Sequence, residues 1–234
     1  MQLFFTTDIR DNLAFLGEDE SRHIVQALRK QVGDPIDLVD GRGYFLKGQL
    51  VEAHKKHCTV EIQERIQQAS RSYQLHVAIA PTKNIDRLEW FLEKATEIGI
   101  DRITPLLCMR SERKRIRHDR LERILISAMK QSVQALLPQL DELTDFKSFL
   151  TEDASGLKYI AHCDEGERPF LHQSYQAGQN LVILIGPEGD FHPEEIHLAK
   201  ANGFKPLSLG ATRLRTETAG LVACSQVAQL NVTK

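Results

Sequence analysis

Two short stretches near the end of the chain hold the residues best suited to chemistry. One is Gly186-Pro187-Glu188-Gly189-Asp190, directly after the apolar run Leu181–Ile185. The other is Leu209-Gly210-Ala211-Thr212-Arg213-Leu214-Arg215-Thr216-Glu217-Thr218-Ala219. Glycines let main-chain N–H and C=O groups come close to a ligand, because no Cβ stands in the way. Arg213, Arg215 and Glu217 add charge beside them, and two such loops from neighbouring strands can form the two walls of one pocket, whose ligand these residues alone do not name. Taken alone, Gly-Pro-Glu-Gly is more often an ordinary turn than a site. It is not Gly-x-Gly-x-x-Gly, and no Lys-Ser/Thr pair marks a phosphate loop.

A second stretch is cationic. Arg110, Arg113, Lys114, Arg115 and Arg117 crowd into one segment, with Arg120 and Arg123 following. The net charge is −2, so no global positive field exists and any nucleic-acid binding must come from a local patch. A loop of this kind neutralises phosphates without reading sequence, although charge runs are also found on merely solvated loops. It has no Tyr, Phe or Trp on which a base would stack. His23, beside apolar helix positions, reads first as a packing residue, and His54-Lys55-Lys56-His57 as a solvated hairpin turn.

The elements that must position these residues fall into two patterns. Residues 1–70 show short strands at Leu3–Thr6, Ile36–Val39, Tyr44–Val51 and Cys58–Ile66. Asp40-Gly41-Arg42-Gly43 marks a hairpin turn, and Asp19-Glu20-Ser21 is expected to cap a helix carrying His23, Ile24, Ala27 and Leu28. Closely spaced strands with one helix predict a small β-barrel. Gln67–Ser72 is polar and aperiodic and serves as the linker. From residue 74 to 234 strands and helices alternate, which predicts a mostly parallel sheet covered by helices. The strands are Leu75–Ala80, Ile103–Leu107, Leu157–Cys163, Leu181–Ile185 and Leu207–Leu209. The helices start near Ile85, run from Leu121 to Leu136, begin at Pro193 and begin at Thr216. Both glycine loops then sit at carboxyl ends of strands, where open α/β sheets bind ligands.

These motifs resemble the RsmE family of small-subunit (16S) rRNA uracil-N3 methyltransferases, within the SPOUT superfamily. Ile185-Gly-Pro-Glu-Gly189 and Leu209–Ala219 carry most of the likeness. His23 with Leu28-Arg29-Lys30 and Gly33-Asp34, Lys83-Asn84, Glu93-Lys94-Ala95-Thr96-Glu97-Ile98-Gly99-Ile100, Arg102-Ile103-Thr104-Pro105 and Arg110-Ser111 add to it, over about residues 20–228. Three positions depart from the family pattern: Asp190 stands for a glycine, Lys130 for an acid and Gln134 for a frequent arginine.

The resemblance implies a PUA-like RNA-binding β-barrel over 1–70 and a trefoil-knotted methyltransferase domain over 74–234. It also implies S-adenosylmethionine as cofactor, 16S rRNA as substrate, within the assembled small subunit, and a homodimer. Ile185, Gly186, Pro187, Glu188, Gly189, Leu209, Gly210, Leu214 and Thr218 would line the cofactor site. A bulky residue at Gly189 is accordingly expected to abolish cofactor binding. Arg215, Glu217 and Arg10, the last reaching over from a partner subunit, are the candidates for catalysis. Glu217 equally suits a capping acid, and Arg215 a simple pair with Glu217. Arg22, Arg29, Lys30, Lys94, Arg110, Arg113, Lys114, Arg115 and Arg117 would meet RNA. Ala219, Gly220, Ala223 and Ser225 are small enough for a close helix contact between subunits.

The composition agrees with a globular chain of 234 residues, 41% hydrophobic and 26% charged. Cys58, Cys108, Cys163 and Cys224 form no CxxC pair and read as reduced thiols, with neither disulfide frame nor zinc site. The first eight residues are too polar for a secretory signal, and no apolar run reaches membrane-spanning length. The expectation is a cytoplasmic protein with no metal and no membrane.

Overall fold

The computed structural model describes residues 2–151, 156–164 and 166–232. The chain forms two compact units, Met1–Ser70 with Ile126–Leu137, and Arg71–Leu125 with Pro138–Lys234.

The first unit contains β1 (Leu3–Phe5), β2 (Asp8–Arg10), β3 (Leu13–Leu16), α1 (Glu18–Arg22), β4 (Pro35–Val39), β5 (Tyr44–His54) and β6 (His57–Gln67). The strands make one sheet in the order β1-β4-β5-β6-β3-β2. β1 and β4 pair parallel and the other neighbours antiparallel. Alternation along β5 turns Leu46, Gly48 and Leu50 inward. They join Phe4, Ile24, Leu38 and Val60 in a buried core. The β5–β6 register breaks at Lys47/Gly48 and at Leu50/Glu52, and such bulges bend a strand pair and let the sheet curl. At the first break a Cβ on Gly48 would collide with the Glu61 main chain, so the close approach requires glycine.

The Asp40–Gly43 turn forms as its residue types demand. Asp40 Oδ1 accepts from the Arg42 and Tyr44 amides (2.8 and 3.0 Å), and Gly41 and Gly43 take φ of 73° and 102°. Asp19–Ser21 do not cap a helix; they lie inside α1, which starts after Gly17 and continues as a π-turn over His23–Ala27. Buried Ser21 instead donates to the Leu16 carbonyl (3.2 Å) and accepts from the Cys58 amide (2.9 Å), tying α1 to β6. β2 and β3 have no counterpart in the sequence reading, because each is only three or four residues long.

The second unit contains β7 (Leu75–Ile79), α2 (Ile85–Ile98), β8 (Arg102–Leu107), the start of α3 (His118–Gln131, which from Ile126 on belongs to the first unit), β9 (Gln139–Leu140), β10 (Thr144–Asp145), α4 (Phe146–Leu150), β11 (Leu157–Ala161), α5 (Leu171–Ser174), β12 (Leu181–Ile185), α6 (Pro193–Ala201), β13 (Lys205–Leu207) and α7 (Thr216–Leu230). Its sheet runs β10-β8-β7-β12-β11-β13, with β9 beside β8. Every pairing is parallel. All five residues of β7 and of β12 are buried, as central strands covered on both faces must be. One face packs Ala78, Leu106, Ile160, Leu184, Phe191 and Ile196 together. On the other, α7 lies against α2, β7 and β12.

Helix ends follow local chemistry. Asn84 accepts from the Asp86 amide (3.2 Å) to start α2, and Gly99 ends it at φ 110°. α3 stops at Gln131, short of the expected Leu136. The Ser132 hydroxyl donates back to the Ala128 carbonyl (2.7 Å), and Val133 turns left-handed at φ 55°. Residues 126–137 then pack with the first unit. The Gly43 amide donates to the Ala135 carbonyl (2.9 Å), and the Leu137 amide to the Gly41 carbonyl (2.9 Å). Lys130, one of the departures, pairs there with Glu20 at 2.5 Å, and Gln134 donates to the Ser132 hydroxyl (3.0 Å).

Candidate active site

β12 delivers the first glycine loop from the middle of the sheet. The turn from Gly186 to Asp190 brings Phe191 back over the strand end. A Cβ on Gly186 would stand 3.0 Å from the Phe191 ring, so this position must be glycine for the phenylalanine to pack. His192 caps α6 by accepting from the Glu194 amide (3.3 Å). Buried Glu195 accepts from the amides of His192 (2.9 Å) and Met109 (2.8 Å). Glu188 accepts from the Lys83 amide (2.8 Å).

The second loop starts after β13, at the sheet edge, and enters α7, which returns to the sheet centre; residues 208–215 therefore run across the strand ends. The Thr216 hydroxyl donates to the Gly186 carbonyl (3.0 Å) and locks the two loops together. Gln226 donates to the Leu209 carbonyl (3.2 Å).

Between the loops lies a cavity of about 500 Å³. Its wall contains the expected Ile185, Gly186, Pro187, Glu188, Leu209, Gly210, Leu214 and Arg215. Gly189 and Thr218 are not in the wall. Arg110 donates to the Gly189 carbonyl (2.9 Å) and to that of Phe191 (3.1 Å), so the Gly189 main chain is held from the Arg110 side. Thr216 takes the place expected of Thr218, because the first turn of α7 presents Thr216 and Ala219 to the cavity.

The two glycine loops do not come from adjacent strands. β11 separates β12 from β13, and the loop after β11 supplies a third wall with Ala161, His162, Cys163 and Arg168. Nothing in the spacing of Leu157–Cys163 marked it, since strand order is not legible in a parallel sheet. Asp190, absent from the expected set, also lines the cavity. It accepts from the Cys163 amide (2.7 Å) through one carboxylate oxygen and from the Phe191 amide (2.8 Å) through the other.

The charged candidates separate by position. Glu217 is buried; its Oε1 lies 3.8 Å from Arg87 Nε, and its Oε2 has no hydrogen-bond partner among the described residues. Its charge partner is thus Arg87 of α2, not Arg215, which is exposed at the cavity edge. Arg10 belongs to the first unit, where it pairs with Asp8 (3.0 Å) and covers the Phe15 ring. Within the cationic segment Arg110 and Arg113 are committed to main-chain carbonyls, Arg113 to those of Thr82 and Lys83 (3.0 and 2.6 Å). Lys114 and Arg115 are exposed, and Arg117 makes a 3.5 Å surface pair with Asp119. Lys94 lies between Glu93 and Glu97 (2.7 and 2.8 Å), and its hydrogen bond to Glu93 leads the causes that raise its pKa. Arg22 pairs with Glu18 (2.5 Å), Lys30 reaches the Pro35 carbonyl (3.4 Å) and Arg29 holds φ 54°. His23 packs edge-on against Phe4 and meets Gln2 at 3.1 Å, as a packing residue would.

His162 is buried, and among the described residues neither ring nitrogen has a partner. Burial, and then the charge of Lys200, lower its pKa, so the ring is neutral at pH 7 and offers one donor and one acceptor. A cavity of this size, with orphaned polar atoms beside glycine main chain, fits a nucleoside-sized organic cofactor. Among the described residues no group of three or more His, Cys, Asp or Glu is placed to hold a metal ion. No helix is long and apolar enough to cross a membrane, again among the described residues.

A three-walled pocket at the carboxyl ends of a parallel sheet, with a curled β-sheet unit preceding it, is the architecture of a SPOUT-class RNA methyltransferase. The chain belongs to the RNA methyltransferase family: residues 69–228 match the model of its RNA methyltransferase domain, and residues 16–63 that of its RNA methyltransferase PUA domain. Among individual relatives, the Ribosomal RNA small subunit methyltransferase E of Synechocystis is 31% identical over 88% of this chain and 69% of its own. A protein of Porphyromonas gingivalis described as an rRNA-methyltransferase has 42% identity and a TM-score of 0.91, covering 99% of this chain and 98% of its own. A Legionella pneumophila protein described as a methyltransferase, solved with its cofactor S-adenosylmethionine bound, has 27% identity and a TM-score of 0.87 over 98% and 97%.

Proposed function

We propose that this protein methylates N3 of a uridine in small-subunit (16S) ribosomal RNA, using S-adenosylmethionine. The observation that carries the reading is the cavity between the two glycine loops, in a chain of the RNA methyltransferase family. When bound, the cofactor supplies an electrophilic methyl group on a sulfonium. The main chain of Ile185, Gly186, Leu209 and Leu214 would hold the adenosine, and Pro187, Glu188 and Gly210 complete those walls. Gly189 would act from behind, through Arg110, and Thr218 through the first turn of α7.

The protein's own work is positional. It must bring the base to near-attack distance and assist loss of the N3 proton. N3 lies on the pairing edge, so the base must be unpaired or flipped outward. Arg215, exposed at the edge of the cavity, is suited to orient the uracil carbonyls. Glu217, paired with Arg87, fixes the start of α7 and with it Arg215. Arg10 is the candidate to approach from a partner subunit, because SPOUT enzymes place their site near a dimer interface.

Lys114, Arg115 and Arg117 are the phosphate contacts of choice, with Arg22, Arg29 and Lys30 on the barrel. Arg110, Arg113 and Lys94 would serve the RNA indirectly, by holding the main chain or the α2 surface. The family's rRNA substrate supports a cytoplasmic site of action, with the assembled small subunit as target.

Purified protein incubated with labelled S-adenosylmethionine and either unmodified small subunits or naked rRNA tests the reading. Label in 3-methyluridine is expected, with small subunits the better substrate. Label in another nucleoside would move the target. No label and no cofactor binding would leave a silent RNA-binding factor.

A further inference from the structure

Asp190 stands where a backbone needs no side chain. Its φ is 63°, a left-handed conformation that non-glycine residues adopt at a cost, and the family motif this loop resembles has glycine here. The conformation is held by the two amides that bind its carboxylate, Cys163 and Phe191. Each oxygen accepts one of these bonds and keeps a further lone pair. The residue lines the cavity between the β12 loop and the β11 loop. Of the charged groups around that cavity, Arg168 is bound to the His162 carbonyl and Glu188 to the Lys83 amide, while Arg213 and Arg215 are exposed. Asp190 adds a second carboxylate to a wall that already carries Glu188, and it is the one tied to the β11 loop through Cys163.

We propose that Asp190 is a specificity-determining residue that makes the pocket favour the cationic methyl donor over its neutral spent form. The inference rests on the S-adenosylmethionine reading above. Methyl transfer breaks the sulfur–methyl bond and returns its electron pair to sulfur; the methyl group joins the nitrogen lone pair and the N3 proton passes to solvent water. S-Adenosylmethionine carries a net charge of +1 at neutral pH and S-adenosylhomocysteine none, and the two differ otherwise only by the methyl group. A carboxylate in a partly dehydrated wall attracts the first more than the second. Glycine at this position would give the backbone its conformation without that discrimination.

Calorimetric titration of the full chain with each ligand separately decides the matter. The ratio of the S-adenosylhomocysteine Kd to the S-adenosylmethionine Kd is expected to fall roughly fivefold to tenfold in both Asp190→Asn and Asp190→Gly. Asp190→Asn removes the charge at constant size with a residue tolerant of positive φ, and Asp190→Gly removes the side chain while preserving the turn. If Asp190 only ties the two loops, both affinities drop in parallel. An unchanged ratio in either variant overturns the proposal, whatever happens to the absolute affinities. Wild-type protein that binds neither ligand overturns the cofactor reading, and this inference with it.

Discussion

Gly186 and Arg110 show how single residues shape the pocket from opposite sides of one loop. Gly186→Ala is expected to lose about 1–3 kcal/mol, because the added methyl must displace the Phe191 ring. Cofactor affinity should fall with it, since Thr216 is bonded to the same residue. Thermal unfolding and ligand titration measure both effects, and an unchanged melting temperature would mean that Phe191 yields freely. Arg110→Ala removes two hydrogen bonds from a charged donor to the 189–191 main chain. Cofactor binding is expected to weaken by roughly tenfold, on the order of one charged hydrogen bond, even though Arg110 is not in the cavity wall. Equal affinity for variant and wild type would detach Arg110 from the site.

At the scale of elements, the crossing of α2 and α7 decides where the second glycine loop enters the pocket. A Cβ on Gly220 would lie 2.6 Å from the Phe91 ring and 3.0 Å from Ile79, so α7 reaches α2 and β7 only because residue 220 is glycine. Gly220→Ala should therefore cost about 1–3 kcal/mol, despite alanine's better helix propensity. A denaturant midpoint equal to or above wild type would refute this packing account. The small-residue stripe of α7 is thus largely occupied within the chain, with Gly220 and Ala223 both buried. That leaves Ser225 as the member of the stripe on neither the buried face nor the cavity wall.

Across the whole molecule, charge and pH give separate handles. Replacing Lys114, Arg115 and Arg117 together by alanine should reduce the slope of log Kobs against log salt for rRNA by about 2. Cofactor affinity should stay the same, because these side chains are exposed. An unaltered slope would place the phosphate contacts elsewhere.

Acid sensitivity is expected from His76, buried in the β7 row, with its Nε2 2.7 Å from the Thr104 hydroxyl. Burial first, and then the Arg102 charge, lower its pKa to about 4. A histidine with a depressed folded pKa stabilises fully above its unfolded value near 6.5, and that contribution is lost as pH falls from there towards 4. The loss is roughly 3 kcal/mol at most. His76→Asn should flatten the melting temperature over this window; an equally steep profile would assign the acid lability to other groups.

Much of the cavity was legible in sequence because it depends on local chemistry. Apolar runs make central strands, the start of α2 falls near Ile85 as its spacing places it, and Pro193 opens α6. Gly186 and Gly210 are glycines wherever the chain goes. What only the tertiary structure decided depends on groups distant in sequence. β11 inserts between β12 and β13, which brings His162, Cys163 and Arg168 into the wall. Glu217 turns to Arg87 instead of Arg215. Arg110 and Arg113, indistinguishable by type from Lys114 and Arg115, find main-chain carbonyls within reach. Residues 126–137 leave the helix at Ser132 and join the first unit through Gly41 and Gly43. Local propensity acts over a few residues, whereas strand order and charge partnership are settled by packing across the sheet. The sequence by itself therefore determined where loops and strands begin, and the fold determined which of their side chains meet.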